Sequence, residues 1–518
     1  MELDGKLYAS HSNYGTNPMK PGRSERRALD CASVFQSRDA RRLHRSIPAH
    51  SRYSFALRDC RSRYAYDAWA IEIGATKMSE STTEQLQPTT AEFRTPEMEQ
   101  AKAGRGVPEA HELALEDINP LNANLFSEHR WHGHFERLRR EDPVHFNEIE
   151  SAGRYWSVTK YQDIKTVSSD WETFSSAHGI TLGFPVGSPA PAFFSQGSPA
   201  FISQDPPRQT EQRKTVRPSV APRNLARLEP IIRERTCALL DSLPEGETFD
   251  WVDTVSVELT TAMLATLFDF PFEDRAKLTR WSDIVFAIPQ PGGVVESQTQ
   301  KRNEFMECVD YFSELWEDRK KRPEGNDLVS MLVHGEATKH MAAADHLGNL
   351  LLLIVGGNDT TRNTMSGSVY ALNKFPEQYD KLTANPGLVE KLVPEIIRWQ
   401  TPLPYMRRTA TRDCELAGKP IRKHDQLLMW YLSGNRDEDV FDNADALDIE
   451  RPNASHHLSF GHGTHFCMGS RLAELQVRIL WEEILQRFKR IEVQEEPSRT
   501  FSSFVNGYTR LPVSLTRK

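Results

Sequence analysis

One stretch near the C-terminal end sets the terms for the rest of the chain: Phe460-Gly461-His462-Gly463-Thr464-His465-Phe466-Cys467-Met468-Gly469, running directly into Ser470-Arg471-Leu472-Ala473-Glu474-Leu475. Glycines on both sides of a single cysteine, followed by a helical pattern, describe a tight loop that presents one sulfur at a helix N-terminus. Glycine permits the positive φ values and close backbone approach that such a loop needs. The N–H groups and positive potential of the helix start favour thiolate over thiol, so Cys467 reads as a thiolate ligand. No partner cysteine lies nearby, which argues against tetrahedral zinc; His456, His457, His462 and His465 crowd the segment and leave a metal cluster open. An inert buried cysteine is the plain alternative, but it leaves the flanking glycines unexplained. Gly461-x-Gly463 lacks the rest of a nucleotide-binding fingerprint and its βαβ setting.

The run FGHGTHFCMG resembles the haem-binding loop of the cytochromes P450, in which a phenylalanine and glycines lead to the axial cysteine. The resemblance implies haem b (heme b, iron protoporphyrin IX) with Cys467 as the metal ligand, and Phe460, His465 and Gly469 beside the cofactor. It also implies a mainly α fold with small β-sheets (α+β), arranged as a single triangular haem domain.

Size and charge agree with a large enzyme domain preceded by a different segment. The 518 residues are 38% hydrophobic and 26% charged. No run of eighteen or more apolar residues suggests a membrane span. Six cysteines (31, 60, 237, 308, 414, 467) without paired spacing fit a reducing compartment, the cytoplasm, and not a disulfide framework. Residues 1–77 hold 14 Lys and Arg against 8 Asp and Glu, a balance of +6 within a chain whose net charge is −8. This Arg- and Ser-rich segment has no sustained period and no apolar signal core. It reads as a disordered extension upstream of a functional start at Met78, leaving residues 78–518 as the haem domain. Nothing in the chain points to nucleic acid.

Further along, 79–108 reads as a polar lead-in, the region around Glu128-His129-Arg130-Trp131 as helical, and Val144-His145-Phe146 and Tyr155-Trp156-Ser157-Val158 as strands. The long Gly-, Pro- and Phe-rich stretch 179–203 reads as a loop covering the substrate. Residues 208–217 form a basic helix on which Gln209 and Arg213, four apart, face the same way. Residues 226–345 give four helical patterns, and Ala287-Ile288-Pro289-Gln290-Pro291-Gly292-Gly293 is a breaker-rich loop between the last two.

Three later stretches extend the resemblance. By it, Gln209 and Arg213 hold one haem propionate, Arg being the strong planar partner and Gln a neutral one. Leu350-Leu351-Leu352-Leu353-Ile354-Val355-Gly356-Gly357-Asn358-Asp359-Thr360-Thr361 is an apolar helix interrupted by glycines, an acid and hydroxyls, which simple core packing does not explain. In the family the matching helix crosses the distal face and widens there. Gly356 and Gly357 then give dioxygen room, Thr360 holds a water beside it and Asp359 relays protons, so Asp359 and Thr360 are the expected catalytic residues. A helix kink with back-bonded threonines is the alternative. Glu395 and Arg398 match the E-x-x-R pair that, completed by Arg451, braces the haem loop, and Arg408 matches a further propionate partner.

The implied reaction is monooxygenation with dioxygen, on electrons from a separate 2Fe–2S ferredoxin and an FAD-dependent ferredoxin reductase. Lys214, Arg217, Arg471 and Arg478 are candidates for a basic docking face. The Gly-Gly-Asn-Asp-Thr-Thr-Arg-Asn run and the Phe- and Pro-rich loop are most similar to bacterial terminal hydroxylases of medium-chain n-alkanes, alcohols and fatty acids, with steroid side-chain hydroxylases as the alternative. The expected substrate is small and apolar, in a channel lined by Leu182, Phe184, Phe286, Leu352 and Val355. A haem-thiolate sensor, and a helical interaction protein without haem, are the readings from other classes.

Overall fold

A helix of 32 residues, Ala343–Lys374, carries the apolar run and the glycine pair, and the helices Glu258–Phe268, Ala276–Phe286, Val389–Gln400 and Ser470–Arg487 are among those that pack against it. Its buried residues divide between two apolar clusters. Leu350 and Ile354 join Leu264, Leu278, Phe312, Leu332 and Ile479, whereas Met365, Val369 and Leu372 join Trp251, Ile396, Trp481 and Ile484. These four helices supply most of those partners, while Phe312 comes from Gln298–Arg319, Leu332 from Leu328–His334, and Trp251 is the residue before Val252–Val257. In Val389–Gln400 the apolar residues recur at helical spacing, and the resulting stripe is what buries it.

The computed structural model describes residues 106–149, 153–182, 200–287, 289 and 292–518. They belong to one unit, Thr76–Lys518; the expectations for residues 1–77 and for Phe184 lie outside the described residues. The fold is mainly α with small sheets, as expected. The largest sheet has five strands: Val144–Ile149 pairs antiparallel with Gly153–Val158, which runs parallel to Gln426–Trp430; Tyr405–Ala410 and Phe174–Ser175 follow, both antiparallel. Both expected strands are present with their alternation intact, Tyr155 facing the cluster of Phe126, Phe135 and Trp430 and Trp156 that of Val144 and Leu427. The smaller sheets lie mostly in the last hundred residues.

Two local expectations are corrected. Glu128–Arg130 is not helical: it is the link between the helices Ala123–Ser127 and Trp131–Glu141, with His129 at φ 57°. Nor does the long helix widen at its glycines. It is α-helical throughout Ala343–Lys374, and the wide π-helical turn lies instead at Val252–Val257. Thr260 begins the repair there, its hydroxyl donating to Ser256 O at 2.9 Å.

Candidate active site

The cysteine loop is held by backbone geometry first. Gly461 and Gly463 have φ of 69° and 66°, a region that L side chains rarely adopt. At Gly463 a Cβ would also lie 2.7 Å from Ser168 O, so the loop is pressed against the helix Tyr161–Ser169. Cys467 N–H donates to Phe460 O at 2.7 Å and closes the loop. Gly469 is different: its φ is −84° and a Cβ there would meet Cys467 Sγ at an ordinary 4.0 Å. Its contribution is its amide, which with that of Ser470 points at the sulfur.

Those amides and the Arg213 guanidinium pull the Cys467 thiol down, but burial outweighs them and leaves it above its ordinary value. The helix start is therefore insufficient to make a thiolate, because desolvation penalises the charged form more than a few N–H groups repay. A metal cation bonded to the sulfur supplies the missing stabilisation. Among the described residues no three His, Cys, Asp or Glu side chains converge on a metal, so the histidines of this segment form no cluster with Cys467.

Helix Arg208–Val216 ties this loop to the long helix. Gln209 Nε2 donates to Thr464 O at 3.3 Å, and Arg213 Nη2 donates to Phe466 O. On the next face Gln212 Oε1 accepts from Asn349 Nδ2 at 3.3 Å, and Asn349 Oδ1 accepts from Phe201 N at 2.8 Å. The two ties through Gln212 and Asn349 were not foreseen, since no local pattern marks a contact between residues 137 apart.

The remaining polar residues have the chemistry of an anion cradle. Arg408 is 3% exposed, and among the described residues its one hydrogen bond goes to the neighbouring Arg407 carbonyl, with no carboxylate in ion-pair range. His465 is buried, its Nε2 lies 3.1 Å from Ser176 Oγ, and its Nδ1 has no partner. Burial, with Arg408 and Arg213 nearby, pushes the imidazole down to about 3. Two arginines, a histidine with an idle nitrogen and a glutamine thus face one region, where the carboxylate whose charge reaches Arg408, Asp205, is engaged by Ser175 and Ser176 and forms no ion pair with either arginine. Buried cations need paired anions, and the propionates of a haem ligated by Cys467 match that need. The residues fit the cofactor.

On the other side, a Cβ added to Gly356 would meet nothing within 4 Å, whereas one on Gly357 would lie 2.7 Å from Leu264 Cδ2. Gly356 alone therefore opens onto free space, and Gly357 is a helix-packing residue. Thr360 Oγ1 donates to Gly356 O at 2.9 Å, the back-bonded arrangement. Asp359 is turned to Arg362, 2.7 Å away. Burial, reinforced by Asp283 and opposed by Arg362, lifts its carboxyl to about 6. Val355 is half-buried and outside the apolar clusters, Leu352 packs partly against the core, and Leu182 packs beside Tyr405 and Phe504. Phe286 ends the helix Ala276–Phe286. Of the five expected channel residues, Phe184 lies outside the described residues.

Behind the loop, Glu395 and Arg398 are fully buried and bidentate, Arg398 Nε to Oε2 at 2.8 Å and Nη2 to Oε1 at 2.7 Å. Arg451 Nε reaches both carboxylate oxygens at 3.1 Å. Arg398 Nη1 also donates to Asn435 O and Ala444 O. The Asn435 side chain in turn accepts from Leu458 N and donates to Ser459 Oγ, the two residues before Phe460. The brace thus acts on the loop through Asn435 and touches neither Cys467 nor the distal side.

The sequence model of the family described as cytochrome P450 matches residues 154–512. Linalool 8-monooxygenase of Pseudomonas putida is 37% identical over 405 residues, 77% of this chain and 98% of that protein. Methyl-branched lipid omega-hydroxylase of Mycobacterium bovis is 33% identical over 399 residues, 74% of this chain and 90% of that one. Among solved structures, CYP153D17 from Sphingomonas sp. PAMC 26605 is 46% identical, with a TM-score of 0.72 over 78% of this chain and 100% of its own.

Proposed function

The chain belongs to the cytochrome P450 family and is a haem-thiolate monooxygenase, and on that premise we propose that it hydroxylates the terminal methyl of small linear substrates: medium-chain n-alkanes, alcohols or fatty acids. Bound haem supplies the activation of dioxygen and the insertion of one oxygen atom into an unactivated C–H bond. Cys467 would ligate it, and Arg408, Arg213, His465 and Gln209 would hold its propionates. Asp359 and Thr360 would deliver protons, the buried acid passing a proton to the Thr360 hydroxyl or to water held on it.

The observation that carries this reading is the division of one helix surface. Val355 and the open space at Gly356 give an apolar floor, with Thr360 a single turn further on and the protonatable Asp359 behind it. Such a floor positions a chain end by shape and leaves the polar groups to handle protons. The similarity to a protein named an omega-hydroxylase supports terminal attack. For electron supply, Lys214, Arg217 and Arg471 are exposed and form no ion pair among the described residues, and Phe466, next to the cysteine, is 44% exposed. This face suits an acidic 2Fe–2S ferredoxin that is reduced by an FAD-dependent reductase. Arg478 is removed from that surface, because Glu229 and Glu482 each pair with it at 2.9 Å. No helix among the described residues is long and apolar enough to cross a membrane.

The test is product identity by mass spectrometry after supplying the protein with a ferredoxin system and a panel of n-alkanes, fatty acids and sterols. Terminal alcohols of the linear substrates are expected. Oxidation of sterols alone, or only at internal carbons, overturns the assignment in favour of a steroid side-chain hydroxylase or a subterminal one. With the preferred substrate, Thr360→Ala is expected to lower product formed per dioxygen consumed by about a hundredfold, the lower end of general acid–base assistance, with hydrogen peroxide accounting for the rest. A haem sensor that only binds gas is indifferent to that substitution.

A further inference from the structure

The acid beside Thr360 shares its guanidinium with a second acid. Arg362 Nη2 donates to Asp359 Oδ1 at 2.7 Å, and Arg362 Nη1 donates to Asp283 Oδ1 at 2.9 Å. Asp283 belongs to the helix Ala276–Phe286 and lies 79 residues away in sequence. The three side chains are graded in burial, Asp359 at 7% exposure, Arg362 at 14% and Asp283 at 29%, so the row runs from the interior beside Thr360 to the surface. Arg362 Nε is buried without a partner among the described residues, and the guanidinium's hydrogen bonds there go to the two carboxylates.

The charge count decides what this arrangement does. Two ionised carboxylates around one guanidinium leave a net charge of −1 in a poorly solvated place, and such a group relieves itself by taking up one proton. The proton goes to the more deeply buried member, Asp359, while Asp283 keeps its share of Arg362 and of solvent. Without the Asp283 charge, Arg362 and Asp359 form a neutral closed pair in which the carboxylate stays ionised and fixed. Asp359 is faced by Arg362 from its own helix, and by Asp283 and the Ser282 hydroxyl from the helix packed against it.

We propose that Asp283 is a positioning residue for proton delivery: by drawing Arg362 toward the surface, it keeps Asp359 able to take up a proton from solvent and release it toward Thr360. This rests on the reading of Asp359 as the proton-delivering acid. No other group is consumed, since each proton that leaves the Asp359 carboxyl is replaced from water.

Two measurements test it on the haem-loaded protein. Infrared difference spectroscopy across pH follows the protonated carboxyl band, identified as the one lost in Asp359→Asn, without any need for turnover. Asp283→Asn is expected to move that band's titration to lower pH by about one unit or more, the effect of deleting a nearby like charge, and Asp283→Glu to restore it. In turnover, Asp283→Asn is expected to lower product per dioxygen severalfold at neutral pH and enlarge the solvent deuterium isotope effect, with recovery as the pH is lowered. A band whose titration is unmoved in Asp283→Asn overturns the proposal. A loss of coupling that Asp283→Glu does not restore also overturns it. If Asp359→Asn itself leaves coupling and isotope effect unchanged, the reading of Asp359 fails, and the proposal falls with it for that separate reason.

Discussion

Cys467→Ser is expected to abolish hydroxylation in a protein that is still folded. The loop geometry depends on Gly461, Gly463 and the Cys467 N–H to Phe460 O bond, none of which the substitution changes. What it removes is the only soft, ionisable ligand at the end of the loop. The sulfur's surroundings leave it a thiol until a cation arrives, so haem binding to the apoprotein is coupled to release of its proton. The serine hydroxyl, far less acidic, makes no comparable bond. The ferrous–CO difference spectrum checks ligation: the thiolate band is expected to vanish, product formation to fall to background, and about one proton fewer to be released per haem bound. Cys237→Ser and Cys414→Ser, at positions without the converging loop amides that face Cys467, are expected to behave as the parent. Retained hydroxylation in Cys467→Ser would remove the cysteine from the mechanism.

Glu395→Gln carries the largest expected loss of stability. Glu395 is the one carboxylate opposite two buried guanidiniums, and its oxygens also accept from Asp448 N at 2.9 Å. Neutralising it strands Arg398 and Arg451 in a place without water. Breaking a buried pair from one side costs about 3–5 kcal/mol, a large part of the roughly 5–15 kcal/mol that holds a typical domain together. Urea unfolding monitored by tryptophan fluorescence is expected to show that loss, and the purified variant to contain little haem, because Asn435 and the segment 458–460 lose their anchor. Glu395→Asp, which keeps the charge on a shorter stem, is expected to lose less. Normal stability together with a full complement of haem in Glu395→Gln would show that the brace is dispensable.

What the chain declares in its sequence is mostly local. Gly461, Gly463 and Cys467 lie within seven residues and dictate the loop, and Glu395 with Arg398 share a helix face by spacing alone. The helices with a clear apolar stripe and the strands with alternating burial follow from period. The misses share a different cause. The Ser168 carbonyl against Gly463, the Asn349 amide against Gln212 and the Asp283 carboxylate on Arg362 are all contacts between distant segments, and no window of sequence contains both partners. Gly356 and Gly357 look alike on paper, and only the position of Leu264 separates the glycine that opens space from the one that closes it. The thiol of Cys467 shows the same limit in electrostatics, since its amides are readable from a helix start but its desolvation is not.

The contact of Gly463 with the Ser168 backbone also orders events in time. Ser168 lies nearly three hundred residues before the loop, as does Ser176, whose hydroxyl meets His465. The strand Gly153–Val158 leads into that helix and is itself paired in parallel with Gln426–Trp430, across a similar separation. Contacts closing so long a stretch of chain form slowly, because their loop-closure entropy must be met before they stabilise anything. The cysteine therefore takes up its ligating posture only once the early and late thirds of the chain have found each other, and haem capture is a late step in maturation. A nascent chain lacking its last hundred residues has neither the loop nor the strand that seats it, and haem supplied early in synthesis has nowhere to dock.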